Sequence, residues 1–322
     1  MKTVDPEMKR VLQLAENVAS SRATILISGE SGTGKEVLAR FIHSKSPRAA
    51  KRFVAVNCAA IPGELLESEL FGFEKGAFTG AVQAKPGKFE LAGDSTFLLD
   101  EISEMPLLLQ AKLLRVIQEG EVERLGGKAP VKVNVRLIAT TNRDLQSMVR
   151  SGQFREDLYY RLNVIPLEIP PLRDRPRDID ALARFFLEVS SHMNGLQMKR
   201  FSPDALLKLT QWSWPGNVRE LENVIERSLL LCAGDEITAD AVAISGFKPR
   251  EVQARDFEPG MTISEVEQKL IMKTLEYTSQ NRTHAARLLG ISIRTLRNKL
   301  HEYGVAPAGL EKAEDLGEQI NG

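Results

Sequence analysis

Cysteine is almost missing from this chain of 322 residues. Cys58 and Cys232 are the only two, too few for a disulfide framework and with no other metal-like spacing beside them. They read as small buried apolar side chains in a reducing compartment, which fits the cytoplasm. A surplus of either charge is also lacking. Lys plus Arg and Asp plus Glu both number 43, so no global field announces a nucleic-acid partner, and any basic surface must be local. No stretch approaches the roughly 18 uninterrupted apolar residues of a membrane span. The first seven residues include Asp5 and Glu7 and lack the apolar centre of an export signal. These absences predict a cytoplasmic protein with no membrane partner. No internal repeat is visible, and the length predicts two or three domains with a sizeable core.

What is present alternates. From the start to about residue 170, helical periodicity is interleaved with short β-rich runs at Thr24-Ile25-Leu26-Ile27, Phe53-Val54-Ala55-Val56, Thr96-Phe97-Leu98-Leu99 and Val133 through Ala139. That alternation predicts an α/β fold, a parallel sheet with crossover helices. Residues 171–244 turn wholly helical, as a lid. Ser202 with Pro203 starts one helix there, and Trp214-Pro215-Gly216 breaks the chain before Asn217 caps another. That last helix places Val218, Leu221, Val224, Ile225 and Leu229 on one face, and Gly234 follows its end. Residues 245–261, with Gly246, Pro249, Pro259 and Gly260 amid mixed charge, read as a linker. An all-α domain is expected over 262–304, opening with a Thr262/Glu265 capping box and a helix burying Ile263, Val266, Leu270, Ile271 and Leu275. The Ala-, Gly- and Glu-rich residues 305–322 read as a disordered tail.

Three motifs carry the chemistry. Gly29-Glu30-Ser31-Gly32-Thr33-Gly34-Lys35 follows a strand and precedes a helix. Its glycines let backbone N–H groups turn inward around phosphate oxygens, and Lys35 neutralises the β and γ phosphates. Where the general phosphate loop has Ser or Thr to hold magnesium, this chain has Glu36. Magnesium must then lean on Asp100 with waters filling the octahedron. Asp100 and Glu101 end an apolar strand, which places them at the carboxyl edge of the sheet as metal-side ligand and general base. Gly76-Ala77-Phe78-Thr79-Gly80-Ala81 sets an aromatic ring and a hydroxyl between small residues with no periodicity to bury them. Such a loop can be pressed against a partner.

The hexapeptide matches, letter for letter, the GAFTGA signature of the sigma-54-dependent transcriptional activators, bacterial enhancer-binding proteins of the AAA+ ATPase class. From Val4 to Gly304 the chain resembles that family, which also carries Glu after the phosphate-loop lysine. The resemblance implies an AAA+ P-loop sheet with a helical lid, ATP and Mg2+ as ligands, and ATP hydrolysis in a hexameric ring built from dimers. It implies that Asn57 restrains Glu101 until the cycle demands it, that Thr141 and Asn142 form the first sensor, and that Arg219 is the second. Arg155 and Arg161 match the arginine fingers supplied to a neighbouring subunit, where such a group is worth about 10³–10⁵ in rate. Phe78 and Thr79 are expected to contact sigma-54 RNA polymerase holoenzyme and drive promoter opening. Leu125, in Glu123-Arg124-Leu125-Gly126-Gly127, looks like the tip of a second insertion supporting the first.

The last helices supply the missing local basic patch, with five basic residues against one acidic between Arg282 and Tyr303. Gly290 makes a turn and Ser292 caps a helix whose Ile293, Leu296, Leu300 and Tyr303 lie inward. This unit resembles the Fis-type helix-turn-helix of the same family. Arg294, Arg297 and Asn298 can pair with base edges, with Thr283, His284 and Lys299 nearer phosphate and Ser292 and Thr295 beside them. The long helix before them is expected to pair two modules on a two-fold enhancer. The alternative function is a DNA-binding repressor that uses nucleotide only as a switch. Most members of the family begin with a regulatory domain, so control is expected from a separate protein or has been lost by truncation.

Overall fold

The computed structural model describes residues 1–244, 262–278 and 281–303. They fall into two compact units, one on each side of residue 245. The expected linker and tail lie outside the described residues.

In the first unit five strands, β1 (Ile25–Ser28), β2 (Phe53–Asn57), β3 (Thr96–Asp100), β4 (Arg136–Thr141) and β5 (Ile165–Glu168), form one sheet in the order β2-β3-β4-β1-β5. Every pairing is parallel. The fourth strand starts three residues later than its apolar run suggested. The fifth was hidden by Pro166, tolerable because β5 lies at a sheet edge where one row of N–H groups has no partner to serve. Alternation along the strands divides the core between two faces. Leu26, Val56, Phe97, Leu99, Leu137 and Ala139 join one cluster, and Ile25, Ile27, Leu98, Ile138 and Leu167 the other.

Helices α1 (Pro6–Asn17) and α2 (Lys35–Ser44) cover the second face through Met8, Leu38 and Ile42. The first face is covered by α3 (Gly63–Phe71), α4 (Lys88–Ala92), α5 (Leu107–Glu119), α6 (Leu145–Arg150) and α7 (Glu156–Leu162). Two short antiparallel ladders carry insertions. Gly72-Phe73 pairs with Lys85-Pro86 around the hexapeptide, and Glu121-Val122 pairs with Val131-Lys132 around residues 123–127.

Residues 171–244 are not wholly helical: α8 (Arg177–Met193), α9 (Pro203–Gln211) and α10 (Asn217–Leu231), closed over Trp214, are joined by a short parallel ladder of Arg200-Phe201 with Glu236-Ile237. Ser202 caps α9 as expected, its hydroxyl accepting from Ala205 N at 3.2 Å. Asn217 does not cap α10. Gly216 is the cap, and Asn217 is wholly buried with φ at 53°, its side chain turned toward the phosphate loop.

In the second unit α11 (Ile263–Tyr277), α12 (Arg282–Leu289) and α13 (Ile293–Glu302) pack on Ile271, Leu275, Ala285, Ala286, Leu296 and Leu300. The capping box forms: Thr262 N donates to Glu265 Oε2 at 2.8 Å, and Glu265 N to Thr262 Oγ1 at 3.3 Å. Leu270 and Ile293 are exposed rather than inward, because this three-helix core is too small to enclose every apolar position of its faces. The Ile263 side chain lies outside the described residues.

Candidate nucleotide site and contact loop

The strand-loop-helix at residues 25–44 places Lys35 on the first turn of α2, only 6% exposed. Its ammonium donates to the carbonyls of Gly29 at 2.9 Å and Glu30 at 3.2 Å and stands 3.3 Å from Glu101 Oε1. Gly32 and Gly34 have φ of +78° and +102°, which an L side chain rarely adopts. A Cβ on Gly32 would also strike the Gly216 carbonyl, so the loop fits against the lid only as glycine. Inward N–H groups, a helix N-terminus and one buried cation form a donor set suited to a polyphosphate.

Asp100 and Glu101 reach the same edge from β3. The Asp100 carboxylate accepts from Thr140 Oγ1 at 2.6 Å and from Asn57 Nδ2 at 2.7 Å. The amide of Asn57 therefore grips Asp100, not Glu101. The reason is the parallel register, in which Asn57 lies directly beside Asp100. Glu101 has φ at 52° and accepts from Asn142 N at 3.1 Å, while its own N–H donates to Thr140 Oγ1 at 3.1 Å. A non-glycine residue in this region stores strain of order 1–3 kcal/mol, a common mark of functional positions. Asn142 touches Glu101 through its backbone, whereas Thr141 turns to the backbone of Arg143. Thr140 was missed by sequence reasoning; a hydroxyl at the end of an otherwise apolar buried strand was the available signal.

No group of three or more His, Cys, Asp or Glu side chains suited to a metal exists among the described residues. Asp100, with lone pairs left beyond its two hydrogen bonds, fits a magnesium ion that takes its other oxygens from phosphate and water. The acidic edge also acts on its neighbour. Burial, with the charges of Asp100, Glu101 and Glu104 added, pushes the Cys58 thiol up to about 12 and leaves it an inert packing group.

The lid joins the loop through a hydrogen-bond network. Arg173 pairs with both carboxylate oxygens of Glu30, at 2.9 and 2.6 Å, and holds that carboxyl below its ordinary value. Asn217 donates to Glu30 Oε2 at 3.1 Å and to Ser31 O at 3.0 Å, and accepts from Leu172 N at 2.8 Å. Arg219, on the first turn of α10, reaches Ser31 Oγ at 3.3 Å, with its backbone N–H and that of Val218 on the Gly32 carbonyl. Thr33 is buried, and Ser31 and Glu36 are exposed, Glu36 paired with Arg40 at 2.7 Å.

Arg155 and Arg161 are not brought to this crevice. Arg155 precedes α7 and forks onto Asp157 at 3.0 and 2.7 Å, while Arg161 is exposed and without a partner among the described residues.

The hexapeptide loop is short of contacts. Gly76 N donates to Ala81 O at 2.9 Å and Ala81 N to Phe78 O at 3.0 Å, while Thr79 and Gly80 are exposed. Phe78 remains 45% exposed, resting edge-on against Phe73 at 4.9 Å. The second insertion braces its foot. Glu74 N donates to Leu125 O and Leu125 N to Gly72 O, both at 2.9 Å, and Gly126 lies against Ala77. Arg124 binds Glu74 at 2.9 Å and Glu90 at 2.6 Å. The Leu125 side chain packs against the sheet core, so it supports the loop rather than crowning it.

In the second unit Thr283, His284, Ser292, Arg294, Thr295, Arg297 and Asn298 are all exposed. Ser292 caps α13 through Thr295 N at 3.0 Å. Lys299 differs: its ammonium sits on Glu267 at 2.6 Å, which raises its pKa.

Comparison with known proteins agrees with this architecture. Residues 1–168 match the sigma-54 interaction domain, 173–255 the AAA+ ATPase lid domain and 262–303 the Fis family of bacterial regulatory proteins. The chain is 55% identical over 318 residues to the transcriptional regulatory protein FlbD of Caulobacter vibrioides, covering 94% of this chain and 70% of that protein. It is 52% identical to the regulatory protein AtoC of Escherichia coli, covering 95% and 68%. The crystal structure of NtrX from Brucella abortus in complex with ATP superposes with a TM-score of 0.71 at 34% identity, covering 95% and 70%. No described helix is long and apolar enough to cross a membrane. The chain belongs to the sigma-54-dependent transcriptional activators, with an AAA+ sigma-54 interaction domain, its lid and a Fis-type helix-turn-helix.

Proposed function

We propose that this protein is a cytoplasmic ATPase that binds enhancer DNA and spends ATP hydrolysis on opening the promoter complex of sigma-54 RNA polymerase. The observation that carries the reading is the convergence of Lys35, Asp100 and Glu101 in the same α/β domain that presents the half-exposed Phe78. Without phosphate nearby, Lys35 is neutralised by Glu101 at 3.3 Å. Phosphate oxygens of ATP attract Lys35 and leave Glu101 free to take the proton of an attacking water. Asp100 would hold Mg2+, which would supply charge neutralisation to the phosphates. Arg219 carries the state of the site to the lid. Arg155 and Arg161, both outward, suit a head-to-tail neighbour in a ring of dimers closing to a hexamer, where they complete its site.

Asn57 ends β2, and after five residues α3 leads to Gly72-Phe73 at the foot of the hexapeptide. A change in the Asn57–Asp100 bond on hydrolysis thus has a short covalent path to Gly76 through Ala81, with Phe78 and Thr79 as the sigma-54 contact. The helix-turn-helix tethers the ring to a two-fold site, reading bases through Arg294, Arg297 and Asn298. Arg297→Ala is expected to weaken binding and relax sequence preference, and Lys299→Ala, already committed to Glu267, to lower the salt slope of DNA binding by less than the roughly one unit of a full phosphate contact. A full unit lost from the slope in Lys299→Ala would place Lys299 on phosphate after all.

The test of the whole reading is open-complex formation at a sigma-54 promoter carrying the bound enhancer. Hydrolysable ATP is expected to support it, and a non-hydrolysable analogue is not. Activation that proceeds equally with the analogue, or repression alone, would overturn it.

A further inference from the structure

The first five residues form a strap over the nucleotide side of the first unit, and its grip ends on one carboxylate. Asp178, wholly buried on the first turn of α8, accepts from Thr3 Oγ1 at 2.8 and 2.7 Å, from Val4 N at 2.7 Å and from Asp5 N at 3.0 Å. The remaining neighbour of that carboxylate is Arg175, only 2% exposed, at 3.7 Å. The other end of the same guanidinium donates to the Thr33 carbonyl in the phosphate loop at 3.0 Å, and its Nε has no partner among the described residues.

The Thr33 carbonyl matters because of the peptide it belongs to. A trans peptide points its C=O and the following N–H in opposite directions, and no peptide bond among the described residues is cis. Fixing the Thr33 carbonyl outward on Arg175 therefore turns the Gly34 N–H toward the concave side of the loop, where phosphate oxygens lie. Gly34, at φ +102°, has no Cβ to resist rotation of that peptide, so the lock must come from a partner. A buried guanidinium compensated by Asp178, its closest carboxylate, and by the charge of Asp5 in the strap cannot change position without losing that compensation.

We propose that Arg175 is a positioning residue that locks the Thr33–Gly34 peptide for phosphate binding, and that the Thr3–Asp5 strap sets the lock through Asp178. Whatever moves the strap then tunes nucleotide affinity without touching Glu101 or Asp100. This rests on the ATPase reading above.

The test is Thr3→Val, which keeps the shape of the strap and the Val4 and Asp5 N–H bonds to Asp178, and removes the hydroxyl with the bond it accepts from Asp5 N. Binding of a fluorescent ADP analogue is expected to weaken about five-fold, with KM for ATP rising alike and kcat within about two-fold. Thr3→Ser is expected to restore binding to within two-fold of the unsubstituted protein. A Thr3→Val protein that binds within two-fold of the unsubstituted one overturns the lock while leaving the ATPase reading intact. So does Thr3→Ser binding as weakly as Thr3→Val, or kcat falling at constant KM. An unsubstituted protein that binds no nucleotide sinks the ATPase reading itself.

Discussion

Around the phosphate loop nearly every polar group has a partner: Lys35, Glu30, Asn217, Thr140 and Asp100 are each held by at least two hydrogen bonds or ion pairs. Around the hexapeptide the reverse holds, with four backbone bonds, all to residues within 74–82, and one edge-on ring contact at the tip. The difference reflects what each region must do. Transition-state stabilisation depends on donors fixed before the reaction begins. A loop that engages a partner needs low local stability and surface left over to bury. The chain places the two in one domain, and the function proposed above has nucleotide hydrolysis at one end drive displacement at the other.

The largest effect expected is on the rigid side. Glu101→Gln should lower kcat by about 10²–10⁴ while nucleotide binding persists, because the amide keeps the shape and loses the base. Turnover near the wild-type rate would remove Glu101 from the chemistry. On the mobile side, Thr79→Ala should leave ATP turnover within about two-fold and abolish open-complex formation, since Thr79 is exposed and braces nothing in the crevice. Loss of turnover in that variant would mean that the loop and the crevice are one structural unit and would end the contrast drawn above.

Between these lies the seam of lid and loop. Asn217 has no solvent exposure, a positive φ and three hydrogen bonds. Asn217→Ala leaves the buried Leu172 N–H and the Ser31 carbonyl without their partner and strains the backbone, and should cost about 2–4 kcal/mol in denaturant unfolding. Asn217→Gly relieves only the backbone part and should recover about 1 kcal/mol of it. Identical losses for the two would mean that the φ carries no strain.

How far the sequence revealed these regions follows from what each is made of. The phosphate loop was legible because its function lies in backbone groups, and glycine spacing encodes backbone shape directly. The acidic pair was legible because a strand of known direction carries its end to a known edge. Asn217 was misread as a cap, since Asn before an apolar helical period gives the same local pattern whether its amide turns to its own helix or to a loop 186 residues earlier. The resemblance pairs Asn57 with Glu101, whereas the register sets its amide on Asp100, and strand order and register are not written in either strand alone. Pro166 hid the edge strand for the same reason: whether a missing N–H matters depends on which neighbour is absent.

The smallest effect concerns acid. The Arg173 pairing holds the Glu30 carboxyl below its ordinary value of 4.5 in the folded chain, so between the folded and unfolded values the unfolded chain binds more protons. Stability from this pair is then fully present above pH 4.5 and is lost as pH falls through the folded value. Both side chains are more than 40% exposed, so solvent screening keeps the contribution small. The melting temperature of Glu30→Gln should lie slightly below that of the unsubstituted protein at pH 6, and the gap should close as pH falls below 4.5. The amide retains hydrogen bonds to Asn217 and Arg173 but not the charge, so closure of the gap isolates the ion pair from the rest of the seam. A gap that persists unchanged at pH 3.5 would assign the coupling of lid and loop to Asn217 and the backbone bonds of Gly32 alone, and would move the rigid side of the contrast off its charges entirely.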